Sequence, residues 1–160
     1  MVAPIHINNV GWKEGDKMSM LLEIHVEARL LNIVATGKFS LNEAKRTFLQ
    51  MLEAVELHKS EKVLFDGRKL VGNPTTMERF YYGDFAALSV AEFGNRGVSI
   101  TTPFAYVLRE PVLDPRRFGE TVAVNRGMHV KVFDNLAEAL RWLGIAPANK
   151  PDVGDGECRA

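Results

Sequence analysis

The residues with the most chemical content lie between positions 66 and 85. Asp66-Gly67-Arg68-Lys69 is followed by Gly72, Asn73-Pro74 and the pair Thr75-Thr76. Gly67 and Gly72 have the glycine spacing of a phosphate-cradling loop, which then requires Lys and Ser or Thr. Asn73 and Pro74 stand there instead, so no lysine reaches a β- or γ-phosphate, and nucleotide hydrolysis is excluded. A weaker attraction survives. A helix opening at Thr75 presents free N–H groups and a partial positive charge, both favourable to an anion, and Arg68 and Lys69 add charge. Thr75-x-x-Glu78 is also a capping-box pattern, so the Thr75 hydroxyl is first of all a cap. A phosphate on Thr75 or Thr76 would add nearly two negative charges at the positive helix end, the kind of change a partner switch uses. Asp66, Gly67, Arg68, Gly72, Thr75 and Thr76 are therefore candidates for a regulatory or anion-binding site, set against an ordinary turn and capped helix.

The next residues carry four aromatics: Phe80, Tyr81, Tyr82 and Phe85. They cannot all face one way at helical spacing. Phe80 is expected in the core with Ala87 and Leu88, while Tyr81 and Phe85, four apart, share another side. Tyr81, Tyr82 and Phe85 are candidates for a partner or ligand surface, the alternative being a helix buried on two sides. Met77, Phe80, Tyr81, Phe85, Leu88 and Phe93 offer more apolar surface than one sheet-facing stripe needs. With 20 basic and 20 acidic residues the formal charge is zero, so little repulsion opposes self-association. A twofold homodimer through this helix is expected.

No catalytic constellation stands out. His6, His25, His58 and His129 lack metal-ligand spacing, and no cysteine cluster joins them, so no metal and no cofactor is expected. Cys158 is the only cysteine and forms no internal disulfide. No Gly-x-Ser-x-Gly elbow occurs. Arg116, Arg117 and Arg126 read as solvated or ion-paired. Zero net charge is no reason to expect nucleic acid. No run approaches the ~20 apolar residues of a membrane span, and Met1 to Trp12 lacks the pattern of a signal peptide, so a cytoplasmic protein is expected.

The elements that must position these residues follow from periodicity and stop signals. Ile5-His6-Ile7 alternates as a small extra strand. Leu22, Ile24 and Val26 alternate with polar neighbours, and Leu30 to Thr36 follows after Ala28-Arg29, so a hairpin is expected. Ser40-x-x-Glu43 opens a helix carrying Leu41, Ala44, Phe48, Met51, Leu52 and Val55 at helical spacing. Lys62 to Asp66 is a buried strand feeding a loop over Gly67 to Pro74. A helix runs from near Thr75 to Phe93 and stops at Gly94. Phe104 to Leu108 is a strand. Asp114-Pro115 opens a helix that Gly127 closes. His129 to Phe133 is the last strand, and Asn135-x-x-Glu138 opens the last helix. The order β-β-α-β-α-β-α-β-α implies an α/β fold, a mixed four- to five-stranded sheet with about four helices. Residues 1–20 are expected to be an N-terminal extension, 21–146 the domain, and 147–160 a polar, disordered tail that folding does not require.

This order, with Leu31-Asn32-Ile33-Val34-Ala35-Thr36-Gly37-Lys38-Phe39, Val63-Leu64-Phe65-Asp66, Val130-Lys131-Val132-Phe133-Asp134 and Ala139-Leu140-Arg141-Trp142-Leu143, resembles the SpoIIAA-like (STAS/SEC14-type) family of small bacterial proteins over Leu21 to Leu143. The resemblance implies a STAS fold and a non-enzymatic regulatory or binding module similar to anti-sigma-factor antagonists. Such a module would act on a protein partner through the loop and helix start at 66–85. The alternative is a carrier or sensor of a small apolar or anionic ligand. Antagonists of this kind follow the strand Asp with Asp-Ser-Ser-Gly and a phosphorylatable Ser or Thr. Here the loop is longer and that motif is missing, which leaves Thr75 and Thr76 as positional candidates only.

Overall fold

The computed structural model describes residues 5–6 and 20–145; the two terminal segments with Cys158, and the expected tail, lie outside them. The strands are β1 (Ile5–His6), β2 (Leu21–Glu27), β3 (Leu30–Lys38), β4 (Lys62–Val71), β5 (Phe104–Val107) and β6 (Val130–Phe133). They form one sheet in chain order. β1–β2 and β2–β3 pair antiparallel, and β3–β4, β4–β5 and β5–β6 pair parallel. Five strands of at least four residues and a two-residue edge strand thus make the mixed sheet expected from the alternation of periods.

Helices α1 (Leu41–His58), α2 (Thr76–Phe93) and α3 (Phe118–Asn125) each connect neighbouring parallel strands. Right-handed crossovers between strands laid down in order put all three on one face. There Phe48, Met51 and Leu52 of α1, with Ala87 and Val90 of α2, bury against Ile33, Val63, Phe65 and Phe104. Helix α4 (Leu136–Trp142) packs on the opposite face, where Ala139 and Leu143 meet Leu64, Ala105, Val107 and Phe133. The alternation Val63/Phe65 against Leu64 in one strand is the pleat sending side chains to two separate cores.

The helix starts follow their caps. Ser40 Oγ accepts from Glu43 N at 3.4 Å, and Asn135 Oδ1 from Glu138 N at 3.0 Å. Only at Thr75 is the box closed among these three: Glu78 N donates to Thr75 Oγ1 at 3.1 Å and Thr75 N to Glu78 Oε1 at 2.9 Å. At the first helix the Glu43 carboxylate turns to Arg46 instead.

Three expectations are corrected. The loop expected over Gly67 to Pro74 is mostly strand, since β4 continues to Val71. Val34 pairs with Asp66 and Thr36 with Lys69, so Gly67 and Arg68 together oppose Ala35. This is a β-bulge, the feature a glycine inside a strand marks. Second, α3 begins at Phe118, not at Asp114-Pro115. Asp114 instead takes the N–H of Arg116 on Oδ1 (3.1 Å) and of Phe118 on Oδ2 (2.9 Å), bending the chain into the helix. Third, Leu88 is 54% exposed rather than in the core, while Tyr82 and Phe93 turn inward.

Candidate functional site

The C-terminal ends of parallel strands are where open α/β sheets bind ligands, because the strand-to-helix connections diverge there. In this chain that end holds an apolar cavity of about 120 Å³ beneath α2 and α3. Phe65 and Leu70 of β4, Tyr106 of β5, Ala86 of α2, Ala123 of α3 and Met128 in the α3–β6 connection line it. An engineered apolar cavity of about 150 Å³ stays dry and binds benzene, so this one is of the size for a single ring or a short aliphatic group.

Two tyrosines enter the cavity. Tyr82, on α2, and Tyr106, on β5, place their hydroxyls 2.7 Å apart. The Tyr82 ring is held edge-on by Phe48 at 6.0 Å, and Tyr106 lies against Phe65 at 4.6 Å. Burial pushes both phenols up from their ordinary value, so both are neutral across the physiological range.

The charged lining residues are all part-exposed: Arg79, Asp114, Arg117 and Glu120. Arg79 Nη1 donates to Val112 O at 2.8 Å and Nη2 to Pro111 O at 2.9 Å. It thereby fastens the β5–α3 connection across the cavity mouth. Arg117 Nη1 donates to Asp114 O at 3.1 Å. Burial alone would raise the Asp114 carboxyl. The N–H groups of Phe118 and Arg116, with the Arg79 and Arg116 guanidiniums, outweigh it and hold the carboxyl below its usual range.

Helices α2 and α3 cross through glycine. A Cβ at Gly83 would lie 2.6 Å from the Gly119 carbonyl oxygen, and one at Gly119 would lie 3.2 Å from Arg79 O. The backbones touch, and this contact closes the cavity wall between the two helices.

The residues singled out from sequence divide into two groups. Asp66 and Arg68 form a local fork on the bulge: Arg68 Nε and N donate to Asp66 Oδ1 at 2.9 and 3.2 Å, and Nη2 to Oδ2 at 2.8 Å. Gly67 is buried beside them, Gly72 adopts a positive φ of 124° in the turn after β4, Thr75 is the cap of α2, and Thr76 is exposed in its first turn. Of the aromatic trio, Tyr82 enters the cavity, Phe85 is half-buried with Lys45 Nζ 5.4 Å from its ring centroid, and Tyr81 is 46% exposed. The two groups do not converge on one site. Sequence reasoning missed Tyr106, Arg79, Asp114 and the Gly83–Gly119 contact. One signal was available: a glycine inside a helix costs about 1 kcal/mol against alanine, and Gly83 in mid-α2 marks a close approach.

Asp66 carries a pH prediction. The Arg68 hydrogen bond holds its carboxyl below the free value of 3.8. A depressed folded-state pKa contributes stability that is present above the unfolded value and is lost as pH falls through the folded one. Urea midpoints of the wild type should therefore drop more steeply below about pH 4 than those of Asp66→Asn. Parallel acid limbs would contradict the assignment.

Among the described residues, no group of three His, Cys, Asp or Glu side chains could hold a metal ion, and no helix is long and apolar enough to cross a membrane. No family model and no curated relative matches the sequence. Solved structures do match. An anti-sigma factor antagonist from Mycobacterium paratuberculosis superposes with a TM-score of 0.50 at 14% identity, over 79% of this chain and 95% of that one. A DUF3478-family protein with a SpoIIAA-like fold from Shewanella loihica gives 0.44 at 18% identity, over 89% and 98%. The antiparallel hairpin leading into parallel strands, a helix after each parallel strand and the match to the antagonist together make this a STAS-type, SpoIIAA-like α/β fold.

Proposed function

We propose that the chain is a non-enzymatic regulatory binding module of the cytoplasm, and that its input is a small apolar ligand held between α2, α3 and the strand ends. The observation that carries the reading is the apolar cavity of about 120 Å³ at the ligand-binding end of the sheet. Helix α2 supplies both Tyr82 and Ala86 to its wall and the exposed Met77 and Tyr81 to the surface. Occupancy inside can thus be read outside, with no reacting group required. The anion reading at Asp66, Gly67, Arg68, Gly72, Thr75 and Thr76 has less support: Arg68 is committed to Asp66, and the Thr75 hydroxyl to Glu78. Ethylbenzene titrated into the labelled protein is expected to shift amide signals of Ala86, Ala123 and Met128. Ala123→Leu, which fills the space, is expected to fold and to lose those shifts. A wild type that ignores millimolar ethylbenzene would sink the reading.

A second reading concerns the surface of α2. Met77, Tyr81 and Leu88 are 53%, 46% and 54% exposed, and this row supports a second copy of the chain as the partner, since exposed apolar rows are enriched at contacts. Light scattering is expected to show a dimer that Tyr81→Glu with Leu88→Glu converts to a monomer. A monomeric wild type at tens of micromolar ends this reading.

A further inference from the structure

The hydrogens of the tyrosine pair say more about the occupant. Tyr82 and Tyr106 share one O···O contact of 2.7 Å, and either can be the donor. One hydrogen fills that contact. The accepting tyrosine keeps its own hydrogen, and among the described residues no backbone or side-chain group accepts it. Both rings line the cavity, and Tyr106 is only 6% exposed. A buried hydroxyl hydrogen without an acceptor is unfavourable, and here the free space belongs to whatever fills the cavity. The surrounding walls, Phe65, Ala86, Ala123 and Met128, offer a charge no partner, and the charged lining residues are part-exposed and already bonded: Arg79 and Arg117 to carbonyls of the β5–α3 connection, Asp114 to N–H groups at the α3 start, and Glu120 to the Val132 N–H of β6.

We propose that the cavity selects an uncharged, ring-sized apolar molecule bearing one hydrogen-bond acceptor, a ketone, aldehyde or ester carbonyl, which takes the spare tyrosine hydrogen. This rests on the ligand-binding reading above and specifies its chemistry. Selection of this kind comes from the site: a polar group left unpaired by the wrong ligand discriminates more strongly than a missing methylene does.

Acetophenone and ethylbenzene have nearly the same shape and differ in the carbonyl, so their affinity ratio isolates the effect. Replacing one tyrosine by phenylalanine leaves the other hydroxyl with its hydrogen free for the ligand. Tyr82→Phe and Tyr106→Phe alone are therefore expected to keep the wild-type ratio. The double variant has no donor, and its ratio of acetophenone to ethylbenzene affinity is expected to fall by about threefold to tenfold, the range of one hydrogen bond, with ethylbenzene affinity unchanged. If the double variant fails to fold, the carbonyl stretch of acetophenone bound to wild type gives the same answer, shifted down in frequency when the oxygen accepts a hydrogen bond. Ethylbenzene binding with an unchanged ratio in the double variant, or an unshifted carbonyl stretch, overturns this inference and leaves the cavity reading intact. No binding of either compound overturns both.

Discussion

Replacing Phe48 by alanine should destabilise the protein by about 3–5 kcal/mol. Phe48 is fully buried on α1. Its ring meets Tyr82 edge-on at 6.0 Å and Phe104 at 5.9 Å, so it joins α1 to α2 and both to the sheet. Truncation removes apolar burial and leaves a void that three different elements would have to collapse together to fill. Domains of this size are stable by only about 5–15 kcal/mol, so the loss is a large fraction of the total. Urea unfolding followed by circular dichroism should show a lower midpoint with an unchanged slope. A cost under about 1 kcal/mol would mean that the helix layer is not packed as described.

Gly83→Ala should destabilise by about 1–3 kcal/mol, the opposite sign from an ordinary helical glycine, where alanine gains up to about 1 kcal/mol. The added Cβ would lie 2.6 Å from Gly119 O, 3.3 Å from Val122 Cβ and 3.4 Å from Ala123 N. The nearest atom is backbone, so no side-chain tip can swing aside, and α3 must shift as a body. Since α3 carries Ala123 into the cavity wall, ethylbenzene affinity should fall about tenfold or more, a loss comparable to the packing cost. Gly94 at the end of α2 is the control. It has αR dihedrals, and a Cβ there meets nothing within 4 Å, so Gly94→Ala should be neutral or slightly stabilising. Equal behaviour of the two variants would show that the helix crossing is looser than the glycine contact implies.

The two effects reach α2 from its two neighbouring helices, α1 through Phe48 against Tyr82 and α3 through Gly119 against Gly83. Partner-facing residues on the outside of α2 need not feel either change unless the cavity and that surface are coupled. Measuring the oligomeric state of both variants therefore also tests whether the inside of α2 communicates with the outside.

Local chemistry in the sequence was sufficient to determine the starts of α1, α2 and α4, because Ser40, Thr75 and Asn135 each accept an N–H three residues on. It also determined the order of strands and helices, since the switch between periods of two and of 3.6 reports which face of each segment is buried. Tertiary packing decided the rest. Asp66-Gly67 looks the same locally whether a loop or a bulge follows. The pairing of Ala35 opposite Gly67 and Arg68 made it a bulge, and that register depends on β3, some thirty residues away in the chain. Tyr81 and Tyr82 are adjacent and chemically alike, yet one faces outward and the other meets Tyr106. Which of them turns inward depends on the rotation of α2, which the Gly83–Gly119 contact and the Phe48 ring set from two neighbouring helices. The cavity itself is the space left where those helices and the strand ends fail to meet, a property of their relative placement that no local pattern encodes.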